Sequence, residues 1–178
     1  MPTDEAALGS AHQGDAARGD SIPWALTGLV SGTLGATVVA LFFLVLDTAN
    51  GQPLWTPTTL GSALFRGEML PPGAPAEASL VAGYTAIHAA VFLGLGLIAA
   101  FFLMNKEEKA GPAWAGGVAI ALFAGTEISF LIFAGLFEPA LVGELGAGWV
   151  AFANVLAAVA MSLFLVAFDS RSRRTRPA

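Results

Sequence analysis

Residues 78–105 read ASLVAGYTAIHAAVFLGLGLIAAFFLMN, 28 consecutive positions between Glu77 and Lys106 without a charged side chain. A helix needs about 20 apolar residues to cross a hydrocarbon core roughly 30 Å thick. The stretch exceeds that length. In lipid the backbone has no water to bond to, so a spanning segment must satisfy its own amides and carbonyls as a helix. Three further intervals repeat the pattern. Asp20 and Asp47 are separated by 26 uncharged residues, Glu144 and Asp169 by 24, and Lys109 and Glu138 by 28 that are interrupted once, by Glu127. The chain therefore reads as an all-α integral membrane protein, with four transmembrane helices in a compact bundle. The spans are expected near 23–47, 79–104, 112–136 and 147–168.

Punctuation at the span ends supports this division. Pro23 and Trp24 suit a helix start beside an interfacial aromatic anchor. Gly111 and Pro112 break the chain before the third span, which Trp114 anchors, and Trp149 anchors the fourth. Trp55 falls in the first loop. The first span does not read as a cleaved signal peptide: its apolar run is too long, and the residues before it are acidic rather than basic.

Composition narrows the function classes. Of 178 residues, 56% are hydrophobic and 12% charged, against about 25% charged in an ordinary soluble domain. The absence of Cys excludes disulfides, thiol catalysis and Cys-based zinc or iron–sulfur sites. With only His12 and His88, a centre with several imidazole ligands from one chain is excluded as well. A net charge of −5 gives no electrostatic footprint for nucleic acid. Phosphate-loop, zinc-protease and nucleophile-elbow motifs are missing from the sequence.

Basic residues set the expected orientation. The side holding the N-terminus, the 105–111 loop and the C-terminus carries Arg18, Lys106, Lys109, Arg171, Arg173, Arg174 and Arg176, while the other carries only Arg66. Short cytoplasmic segments concentrate Lys and Arg, so both termini are expected in the cytoplasm. The Ala/Gly-rich, Lys-poor composition suggests a bacterial inner membrane. Residues 1–22 form a polar tail expected to be disordered unless bound. Residues 169–178 form a short basic tail that reads as a stop-transfer flank or a contact for anionic head groups. The Lys106–Lys109 turn reads as a solvated hairpin tip. In the long 48–78 loop, Thr56-Pro57-Thr58-Thr59 reads as a turn and N-cap. Leu60, Leu64 and Phe65 then follow at helical spacing, which predicts a short interfacial helix on the outer surface.

Helices in lipid associate through close approach, which small residues permit. Gly28, Gly32, Ala36 and Ala40 recur in steps of four on the first span. Ala86, Ala90 and Gly94 do so on the second, Gly117, Ala121 and Gly125 on the third, and Ala153 and Ala157 on the fourth. Each stripe is expected to be a packing seam, with Gly28–Gly32 alternatively facing another subunit.

Each span also carries one polar residue at a similar depth. His88 lies 11 residues after Glu77, Glu127 11 before Glu138, Asn154 10 after Glu144, and Thr37 10 before Asp47. At 1.5 Å per residue each sits about 15 Å below the outer charges, near mid-membrane. Tyr84 lies one turn outward of His88, and Thr126 and Ser129 flank Glu127. A charge at that depth costs about 3 kcal/mol or more unless paired. Glu127 is therefore expected to hydrogen-bond His88, with Asn154 or Thr37 completing the cluster. Asp47 and Asp169 read as ordinary interfacial charges.

Such a layer supports several readings. It can be a structural clamp that fixes helix register. It can be a proton- or ion-handling site, since a carboxylate beside an imidazole can pass protons, although no second acid extends a relay. His88 can be an axial ligand for haem or a chlorophyll-type pigment. Substrate binding is a further use. The function that fits best is a non-catalytic accessory or structural subunit of a larger membrane complex, with other membrane subunits and lipid as partners, no nucleic acid, and no cofactor of its own. A small proton- or ion-coupled carrier and a haem- or pigment-binding subunit are the alternatives. An enzyme acting on lipid is the weakest reading, since no nucleophile with a matching base is visible.

Overall fold

The computed structural model describes residues 22–104 and 112–174. The expectations for the acidic tail up to residue 21, the Lys106–Lys109 turn and residues 175–178 lie outside them. All regular elements among the described residues are helical: α1 (Ile22–Ala49), α2 (Trp55–Arg66), α3 (Ala78–Met104), α4 (Pro112–Phe137), α5 (Leu141–Glu144) and α6 (Ala147–Arg174). Four of them, α1, α3, α4 and α6, are long and apolar enough to cross a membrane. The last helix runs on to Arg174, past the expected end at 168, so most of the basic tail is helical rather than a separate segment.

The long helices run antiparallel in chain order. Gly28 of α1 meets Gly96 and Leu97 of α3, and Gly32 meets Phe92 and Leu93. Gly35 and Phe42 of α1 face Met161 and Trp149 of α6, respectively. The most extensive seam joins α1 to α3, followed by α1 to α6 and α4 to α6, whereas α3 and α4 touch sparsely. The α1–α3 seam is close because neither helix carries a side chain at the crossing. A Cβ on Gly28 would lie 2.7 Å from the Cα of Leu97, and one on Gly32 would lie 2.5 Å from the carbonyl oxygen of Phe92. On α6 the stripe Ala153–Ala157 is fully buried, with Met161 and Leu165 continuing it.

The other two stripes do not follow expectation. On α4, Gly117 and Ala121 are exposed, and a Cβ on Gly117 would meet nothing. Gly125 touches only the side chain of Leu95. The buried face of α4 instead runs through Val118, Leu122, Thr126 and Ala134. On α3, Ala86 and Ala90 are exposed and Gly94 is open, while Gly96 and Ala100 form the seam. Small residues are abundant enough here that a step of four does not by itself choose the packed face. Large apolar side chains turn outward instead: Ile120 is 71% exposed and Leu136 73%. Contiguous apolar surface of that kind suits lipid and not water.

A short helix, α2, stands where the sequence predicts one, and hydroxyl side chains make up much of its buried face. Thr56, Thr58, Thr59 and Ser62 are buried, together with Leu60 and Ala63, while Phe65 is 55% exposed. Gly61 lets the helix approach α3, since a Cβ there would lie 2.5 Å from the carbonyl oxygen of Leu80. Small hydroxyl side chains allow this close contact where Leu or Phe would not. Arg66 at the end of α2 pairs with Glu77 before α3 at 2.6 Å, and Ser79 donates to the same carboxylate oxygen. The guanidinium and the hydroxyl together hold the Glu77 carboxyl below its ordinary range.

Candidate functional site: a divided polar layer around an intramembrane cavity

Glu127 on α4 and Asn154 on α6 meet directly. The Asn154 amide donates from Nδ2 to Oε1 of Glu127 at 2.8 Å, and Asn154 is only 5% exposed. The antiparallel packing of α4 on α6 brings together two residues that lie at equal depth in their own spans. His88 is placed elsewhere. Its Nε2 lies 3.2 Å from the carbonyl oxygen of Ala36 on α1. A carbonyl can only accept, so the ring donates from Nε2; the oxygen has a second lone pair beyond the one used in its own helix.

The expected Glu127–His88 hydrogen bond is therefore absent. The polar layer is divided into two clamps, one between α4 and α6 and one between α3 and α1. Helix order explains the division: α3 and α4 are the neighbours that scarcely touch, so their polar residues turn to the helices they do touch. Thr37 is not part of the layer at all. It is exposed, and its hydroxyl donates to the carbonyl of Thr33 in its own helix at 2.8 Å. α1 contributes the backbone of the preceding residue instead. Ser129 and Thr126 likewise donate within α4, to Gly125 and Phe123.

A cavity of about 270 Å³ lies among α1, α3 and α4, with residues of α2 and α6 also on its wall. Its walls are mostly apolar, and Tyr84, His88, Thr126, Ser129 and Asn154 place polar atoms on it. Tyr84 and His88 stack one turn apart with ring centroids 5.7 Å from each other, and Phe92 and Phe133 extend the aromatic wall on either side. Among the described residues no group of three or more His, Cys, Asp and Glu side chains gathers as metal ligands would.

Sequence reasoning missed Asp47. Expected to be an ordinary interfacial charge, it is 4% exposed and caps the start of α2. Its Oδ2 accepts from the backbone N–H of Thr56 at 2.8 Å and its Oδ1 from the Thr56 hydroxyl at 2.7 Å. Leu54, at the position where a capping side chain would normally stand, supplies none and adopts a left-handed φ of 66°. The first amides of a helix need acceptors, and Asp47 reaches across the turn to provide one. The available signal was a carboxylate ending one helix shortly before another helix begins with a residue that cannot cap.

Compared with models of known protein families, with curated proteins and with solved structures, the chain matches none.

Proposed function

We propose that this chain is a non-catalytic accessory subunit of a larger membrane complex in a bacterial inner membrane, with both termini in the cytoplasm. The observation that carries the reading is how the polar layer is bonded. Glu127, Asn154 and His88 each bond to a neighbouring helix, and Thr37, Thr126 and Ser129 each bond to their own. The Glu127 carboxyl and the His88 imidazole are not joined, which leaves no acid–base pair within the layer poised for proton transfer or for activating a nucleophile among the described residues. Such bonds hold helices in register, at about 1 kcal/mol or less each in membrane proteins.

Two features add to this. Only 17% of the most apolar stretch of α4 is buried within the chain, against 44% for α6, which leaves a broad α4 face for lipid or for another subunit. The orientation rests on the seven-to-one distribution of basic residues.

The test is extraction of the tagged full-length chain in a mild detergent, followed by native mass spectrometry. Recovery with larger partners at fixed stoichiometry is the expected result. Recovery solely as a monodisperse oligomer of itself contradicts the proposal.

A further inference from the structure

The cavity among α1, α3 and α4 is not accounted for by the two clamps. An apolar cavity of about 150 Å³ in a protein interior is enough to hold benzene. This one, at about 270 Å³, has room for a molecule near twice that size. Val39, Phe43, Phe92, Phe130 and Phe133 give it apolar and aromatic walls. A purely apolar space of that size within a bilayer would be open to any acyl chain. This one carries polar atoms that the fold leaves uncommitted, and two of them belong to rings one helical turn apart.

The first is on His88. With Nε2 bonded to the Ala36 carbonyl, the neutral ring keeps its proton there, and Nδ1 remains an acceptor without a partner among the described residues. The second is the Tyr84 hydroxyl, which likewise has no hydrogen-bond partner among them and lines the same cavity. The two rings lie one helical turn apart with centroids at 5.7 Å. One offers an acceptor and the other a donor, and both are set in an apolar surround where an unmade hydrogen bond is costly.

We propose that the cavity is a binding site for a small membrane-soluble molecule with an apolar ring system and one hydroxyl group, of the phenol class. Its hydroxyl donates to Nδ1 of His88 and accepts from the Tyr84 hydroxyl. Its rings lie against Phe92 and Phe133. A hydroxyl is the simplest group that both donates and accepts at one atom, as this pair requires. A hydrocarbon fills the space but leaves both protein atoms unpaired. A carboxylate satisfies Tyr84 but sets a lone pair against Nδ1. The inference goes beyond the accessory-subunit reading: the two share the His88–Ala36 bond, but the site rests on the cavity and on atoms that take no part in joining helices.

The experiment is equilibrium dialysis of 1-naphthol and of naphthalene between phosphatidylcholine nanodiscs carrying the full chain and empty nanodiscs of the same lipid. The expected result is a saturable excess of one 1-naphthol per chain, bound about tenfold more tightly than naphthalene, a difference of about 1.4 kcal/mol from the hydroxyl's two hydrogen bonds together. Tyr84→Phe, a change that keeps the ring and its packing, is expected to bring 1-naphthol down towards the naphthalene value. Partition equal to that of empty nanodiscs overturns the proposal, and so does equal affinity for the two probes. Both of those outcomes are read on the unmodified chain, so the test does not depend on whether a variant folds.

Discussion

Replacing Asn154 with Leu removes the donor and leaves the Glu127 carboxyl unpaired inside a membrane span. That is expected to cost about 1–3 kcal/mol, the range for stranding a buried polar group. Glu127→Gln keeps an acceptor for the Asn154 amide and is expected to cost less. Replacing both residues with Leu removes donor and acceptor together, so the double variant is expected to be more stable than Asn154→Leu alone. Reversible unfolding in bicelles checks the order of the three. Loss of the Asp47 cap through Asp47→Ala is expected to cost about 1 kcal/mol, as for other helix caps. It should speed hydrogen exchange at Thr56 first, since that amide is the one the carboxylate holds. Glu77 supplies a test by pH. Its folded-state pKa lies below the unfolded value of about 4.3. The Arg66–Glu77 contribution is therefore fully present above that unfolded value and is lost as pH falls through the lower folded one. Carboxyl NMR should find Glu77 titrating low in the native chain and closer to the ordinary value after Arg66→Gln, with the Ser79 hydroxyl still lowering it.

At the scale of elements, the test lies in the glycines. Gly32→Val places a side chain against the backbone of Phe92 and Leu93 and is expected to destabilise by about 1–3 kcal/mol, as overpacking does. Gly117→Val meets open space and is expected to be neutral. The same comparison shows what the sequence could carry. Charge-free length located all four spans to within a few residues, because lipid leaves no alternative to an uninterrupted helix. The choice of packed face was less legible. In a chain with 21 glycines a four-residue period arises on faces that pack and on faces that do not. Gly28 and Gly32 lie at a seam, whereas Gly117 and Ala121 do not, and nothing local distinguishes them. For α2 the hydrophobic spacing found the helix. It did not mark the buried hydroxyls of Thr58, Thr59 and Ser62, because Thr and Ser read as polar while at a close crossing their small volume decides.

For the molecule as a whole, equal depth in the sequence marked Glu127, His88, Asn154 and Thr37 as candidates for one layer, and the pair expected, Glu127 with His88, is not the one that forms. Pairing depends on helix order around the bundle, which depth does not encode. The partner of His88 was beyond any residue-based reading, since a backbone carbonyl leaves no mark in the sequence. Orientation is testable at this scale because the chain has no Cys of its own. Cysteine introduced by Glu68→Cys is expected to react with an impermeant maleimide in intact cells. Cysteine introduced by Ser10→Cys is expected to react only after permeabilisation. The reverse pattern would place the basic segments outside.

On the reading proposed above, the intramembrane polar layer joins helices and does not move protons. The most direct measurement reconstitutes the purified chain in liposomes containing a pH-sensitive dye and imposes a pH gradient. The expected result is collapse of the gradient no faster than in protein-free liposomes, for the native chain and for Glu127→Gln alike. Rapid collapse with the native chain that Glu127→Gln abolishes, in a variant of unchanged stability, would contradict it and make the carboxyl a carrier of protons.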